Sequence, residues 1–142
     1  MDGPQFRWLL DVGIPRAANS TLDVVHAEDL SRLPGPVGLS EAIALERTLV
    51  THDQEFRRPW VLPLDHPGIV VVEGSPIDGQ EIERNLMHLE FCLRQESGIA
   101  HLAGTRFVLK LDHAILQVGP DGSEREFERW RQVRLQTASA FL

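Results

Sequence analysis

Hydrophobic residues in this chain fall in short blocks whose period changes along the sequence. Phe6-Arg7-Trp8-Leu9-Leu10-Asp11 is an apolar run of the buried kind, closed by Gly13 and Pro15. Asp23-Val24-Val25-His26-Ala27, Thr48–Asp53 and Gly68–Gly74 are rich in β-branched residues. The last of these, built on Ile69-Val70-Val71-Val72, has the composition of a strand covered on both faces. Two stretches take the helical period instead. Glu41–Glu46 holds good helix formers behind Ser40, a candidate N-cap. Asp78 opens a longer helix, with Glu81 placed for a capping box and Ile82, Leu86, Leu89 and Leu93 on one stripe, and Gly98 ends it. Beyond that point the period returns to two. Thr105–Leu111, His113–Val118 and Glu124–Trp130 read as strands, the last two joined by the turn Gly119-Pro120-Asp121-Gly122.

This alternation predicts an α/β fold: a small parallel sheet of βαβ units flanked by helices over residues 1–97, with an antiparallel β extension over residues 98–142 packing on the same domain. If the runs ending at Asp11 and Asp53 are neighbouring parallel strands, then Asp11, Asp53 and Glu55 meet at the strands' carboxyl ends. Open α/β sheets keep their ligand crevices there. Clustered carboxylates at such an edge suggest a hard divalent cation, Mg²⁺ or Mn²⁺, because a bare acidic group would repel an anionic substrate and a bound cation reverses the sign of the local field. Asp11, Asp53 and Glu55 are therefore the candidate metal ligands, with Glu41 and Glu55 placed to orient water.

Composition narrows the picture. The chain has 142 residues and a net charge of −7, which argues against a broad basic footprint for duplex nucleic acid. Residues 1–100 hold eight basic against sixteen acidic side chains, whereas residues 101–142 hold six against five, so the acidic excess lies with the candidate site. Cys92 is the only cysteine, which excludes an intramolecular disulfide and a cysteine-rich zinc site. No window is apolar for long enough to span a membrane, and the first residues lack the charge pattern of a signal peptide. The expectation is a cytoplasmic protein with no membrane partner.

The order of these runs resembles the PIN-like nuclease fold, and within it the VapC-type toxins of bacterial toxin–antitoxin pairs. The resemblance rests on Leu9-Leu10-Asp11 with Ile14-Pro15, Asp23-Val24-Val25-His26 with Asp29-Leu30, Leu49-Val50-Thr51-His52-Asp53-Gln54-Glu55-Phe56, and His66-Pro67-Gly68 before the valine strand, and it covers about two-thirds of the chain. It implies metal-dependent endoribonuclease activity, by attack of an activated water that leaves a 5′-phosphate and a 3′-hydroxyl, and a cognate antitoxin as partner. Asp11, Asp53, Glu55 and Glu41 would be the catalytic acids, and Arg57, Arg58 and Thr51 the candidates for RNA contact. Family members commonly follow the first Asp with polar residues, and this chain has Val12-Gly13 instead. That departure supports an alternative: a catalytically degenerate PIN-like protein acting as a binding module for a DNA-binding antitoxin. A third reading, a receiver-like phosphoacceptor domain, wants an early acidic pair and a distal lysine, and Lys110, the only lysine, falls in the expected extension. Exposed strands near the carboxyl end also suggest a possible homodimer by edge-to-edge pairing.

Overall fold

The computed structural model describes residues 6–18, 20–30, 38–59, 66–74, 78–96, 102–111 and 114–129. The strands are β1 (Arg7–Leu10), β2 (Asp23–His26), β3 (Thr48–Thr51), β4 (Ile69–Val72), β5 (Arg106–Leu109), β6 (Ala114–Val118) and β7 (Glu124–Arg129). Helix α1 (Leu39–Leu45) lies between β2 and β3, and helix α2 (Gly79–Glu96) between β4 and β5. Among the described residues these seven strands form one sheet in the order β2-β1-β3-β4-β5-β6-β7. Strands β2, β1, β3, β4 and β5 run parallel, and β6 and β7 add antiparallel at one side. The mixed α/β sheet expected from the sequence is present, with β1 and β3 as parallel neighbours. One boundary moves. Thr105–Leu111 was expected to open the antiparallel extension, but β5 pairs in parallel with β4, and antiparallel pairing begins only at β6.

Alternation along the strands sorts side chains to two faces. Trp8, Leu10, Val50, Val70, Val72, Phe107 and Leu109 pack with the α2 stripe of Ile82, Leu86, Leu89 and Leu93. All four stripe residues are buried, and burial of side chains of this size contributes roughly 1.5–3 kcal/mol each. On the opposite face Leu9 and Leu49 meet Ala42 of α1, while Ile69, Val71, Val108 and Val118 pack beneath Leu39 and Phe56. The helix starts follow local chemistry. The Asp78 carboxylate accepts from the Glu81 N–H at 2.8 Å, as its position before the apolar stripe predicts. In α1 the N-cap is Gly38 rather than Ser40, so the helix begins earlier than the sequence suggests. The expected stop at Gly98 lies outside the described residues. No helix among the described residues is long and apolar enough to cross a membrane.

Two contacts fix the frame around the strand tips. Gly79, at the start of α2, lies so close to the strap after β1 that a Cβ there would stand 1.8 Å from the Arg16 carbonyl oxygen. Arg106 on β5 is buried, and its guanidinium donates to the carbonyl oxygens of Phe56, Arg58 and Gly119. Burial holds its pKa below the usual arginine value. At the far rim, Glu124 and Glu126 of β7 pair with Val118 and Leu116 and share their face, while Arg125 lies on the other face and donates to Gln117 at 2.7 Å.

Candidate active site

The chain leaves β1 to one side for β2 and returns through α1 to β3 on the other side of β1. That reversal makes the gap between β1 and β3 the topological switch point, the place where open α/β sheets keep their ligand crevices. Asp11 is the first residue beyond β1, and its N–H still donates to Val50 at 2.8 Å, so the ladder carries it into the crevice. Its carboxylate is 7% exposed and accepts from the Val12 N–H at 2.7 Å and the Thr51 hydroxyl at 2.8 Å. The Thr51 oxygen in turn accepts from the Asp53 N–H at 3.1 Å. One hydroxyl thus ties the Asp11 carboxylate to the backbone of Asp53.

Past Asp53 the chain makes a 3-10 turn, Gln54–Arg57. The Asp53 carboxylate caps it by accepting from the Glu55 N–H at 3.0 Å. Asp53 and Glu55 are exposed, and Glu55 pairs with Arg58 at 3.5 Å. Gln54 ties the turn to the sheet, its amide donating to the carbonyl oxygens of His52 at 3.0 Å and Val72 at 2.9 Å.

The remaining candidates are tied into the fold to different degrees. Glu41 sits in the first turn of α1, where its carboxylate accepts from the Gly38 N–H at 2.8 Å as the return half of a cap. Thr51 is 1% exposed and its hydroxyl is committed to Asp11, which removes it from any RNA-contacting surface. Arg57 is committed to partners within the chain. It forks onto Glu124 at 2.7 and 2.8 Å, reaches Glu73 at 3.3 Å and donates to the Gln54 side-chain Oε1 at 2.9 Å. Of the two, Arg58 is the one left exposed. Among the described residues no three His, Cys, Asp or Glu side chains gather into a group able to hold a metal ion.

Sequence reasoning missed the polar cluster beside the crevice. Lys110 follows β5 directly and donates to Glu73 at 3.3 Å, so the lone lysine stands at the carboxyl edge of the sheet but is tied to Glu73. The Arg57 guanidinium holds the Glu124 carboxyl below the usual range, against a smaller desolvation cost. At Glu73 burial works to raise the value, and hydrogen bonds from Lys110, Arg57 and the Leu111 N–H outweigh it. Arg57 and Glu124 lie 67 positions apart, so no local pattern announces their pairing.

The Val12-Gly13 pair has a structural reason. Ile14 donates to the Asp11 carbonyl at 3.1 Å, closing a tight turn with Gly13 at φ +94°. A side chain there is strained by the backbone and also meets the His52 ring, whose Nε2 would lie 2.7 Å from a Cβ. Gly13→Ala should therefore cost about 1–3 kcal/mol. Its thermal midpoint in calorimetry checks this, and an unshifted midpoint would show that the turn does not need glycine.

No family model, curated protein or solved structure matches this chain. Its chemistry therefore has to be read from the crevice itself.

The Thr51 hydroxyl joins the Asp11 carboxylate to the Asp53 backbone N–H, while the Asp53 carboxylate caps the turn that follows. Hydrogen bonds from the Thr51 hydroxyl and the Val12 N–H orient the Asp11 carboxylate. Asp11 and Asp53 would be the residues to hold a hard cation here, one that keeps several waters and takes one or two carboxylates, because no all-protein cage forms among the described residues.

Proposed function

We propose that this chain is a PIN-like, metal-dependent endoribonuclease, the toxin half of a type II toxin–antitoxin module. The observation that carries the reading is the joining of Asp11 and Asp53 through the Thr51 hydroxyl at the switch point of the sheet. Asp11 and Asp53 would hold Mg²⁺ or Mn²⁺, and Glu55 would order water beside it. When bound, the cation supplies charge neutralisation for the phosphodiester and a water of lowered pKa. The chain's own residues supply placement. Thr51 fixes the Asp11 carboxylate, Asp53 keeps an exposed edge toward solvent, and Arg58, exposed at the end of the turn, is available to an RNA phosphate.

A second reading, a catalytically silent PIN-like module that binds an antitoxin, is favoured by a separate observation. Glu41 is occupied in capping α1, and no third acid joins Asp11 and Asp53 among the described residues. Titration with Mn²⁺, followed by electron paramagnetic resonance, and cleavage of a structured RNA separate the two. The nuclease reading expects uptake of the ion and cleavage, both lost in Asp53→Asn by about a hundredfold or more, as for removal of a metal ligand. Uptake without cleavage under any divalent ion favours the silent module, and no uptake by a folded protein overturns the metal site.

A further inference from the structure

We propose that the C-terminal hairpin is part of the site, with Glu124 as a positioning residue that sets the turn carrying Asp53 and Glu55. This deepens the reading of the β1–β3 crevice and rests on it.

Three attachments join the hairpin to that turn. The first is the fork of Arg57, the last residue of the turn, onto Glu124 of β7 at 2.7 and 2.8 Å. Two parallel bonds between a planar guanidinium and a carboxylate fix orientation as well as distance. Both side chains are about three-quarters covered, 22% and 25% exposed, so the pair escapes much of the screening that empties surface pairs of value. The second is a backbone contact: a Cβ on Gly122, in the turn between β6 and β7, would lie 2.9 Å from the Pro59 ring, so the hairpin turn rests against the end of the loop. The third is Arg106, which grips the carbonyls of Phe56 and Arg58 with one nitrogen and that of Gly119 with the other, hanging the loop and the hairpin turn on one guanidinium.

Gln54 carries this placement to the site. Its side-chain Oε1 accepts from Arg57 and its side-chain amide donates to the carbonyl of His52, so the chain of contacts from Glu124 ends one residue from Asp53. Phe56 seats the turn on the sheet, whereas Asp53 and Glu55 stand in solvent. Their placement therefore depends also on what holds the far end of the turn. A misplacement of about 1 Å in a ligand-bearing segment is enough to cost about a hundredfold in a reaction, which makes such an anchor functional rather than decorative.

Glu124→Ala and the size-conserving Glu124→Gln, each in the full chain, test this by amide hydrogen exchange and Mn²⁺ titration together. The amides of Phe56 and Arg58, bonded to Asp53 and Glu55 carbonyls, should exchange about tenfold faster in Glu124→Ala and less so in Glu124→Gln, with the α2 amides unchanged as reference. The Mn²⁺ midpoint should rise by about three- to tenfold. Unchanged exchange over 54–58 in a variant of wild-type melting temperature overturns the proposal, and so does a loosened turn with unchanged Mn²⁺ affinity. If the wild-type chain takes up no Mn²⁺, the metal reading fails by itself, and the exchange arm still decides whether Glu124 fixes the turn.

Discussion

Arg106→Met should destabilise the protein by about 3 kcal/mol, a fall of roughly 6–12 °C in melting temperature for a chain of this size. The guanidinium is the donor for three main-chain acceptors, the carbonyls of Phe56, Arg58 and Gly119, drawn from two separate loops. Methionine fills similar volume and donates nothing. Each carbonyl left unpaired away from water costs about 1–3 kcal/mol, and the sum is offset in part because a desolvated charge is also removed. Arg106→Lys keeps the charge but offers one ammonium where a planar fork spanned three acceptors, so its loss should be intermediate. Calorimetric unfolding of both variants checks the ordering. A methionine variant as stable as the wild type would mean that water serves the three carbonyls equally well.

The second large effect belongs to Gly79. A Cβ at this position would lie 1.8 Å from the Arg16 carbonyl oxygen, 2.0 Å from its carbon and 2.4 Å from the Ala17 nitrogen. All three atoms are backbone, so no rotamer relieves the contact. Either the start of α2 or the strap after β1 must move, and Gly79→Ala should cost about 3 kcal/mol, at the upper end of overpacking penalties. The gain in helix propensity from glycine to alanine, about 1 kcal/mol, works in the other direction and is too small to win. Gly38→Ala is the matched control. There a Cβ meets only the flexible Glu41 carboxylate at 3.1 Å, and the change should cost less than about 1 kcal/mol. Equal melting temperatures for the two variants would sink the close-approach argument.

Much of this fold is legible from residue patterns because local and global preferences agree. The β-branched run at 69–72 is a strand buried on both faces, and the stripe of Ile82, Leu86, Leu89 and Leu93 is the buried side of α2. The placing of Asp11 and Asp53 at adjacent strand tips follows from the βαβ alternation alone. The misreading of β5 has an identifiable source. Arg106 and Lys110 punctuate Thr105–Leu111 like the polar positions of a half-exposed strand, yet all four residues of β5 are buried and Arg106 spends its charge on carbonyls. A buried arginine satisfied by main chain leaves the same mark in a sequence as a solvated one. Arg57 and Arg58 look like a matched pair for the same reason, and the structure separates them through a carboxylate far along the chain. Thr51 shows the converse. The resemblance makes it a candidate for RNA contact, and its hydroxyl does bond Asp11, but burial turns it from a contact residue into a fastener for the acid.

The alternating charges of β7 bear on how two molecules can meet. If two copies laid this rim side by side in antiparallel fashion, residues directly opposite would point to the same face. In the register that sets Arg125 opposite its own counterpart, Glu124 and Glu126 would confront glutamates of the second molecule. Repulsion of this kind would weaken edge-to-edge pairing of β7 in that register.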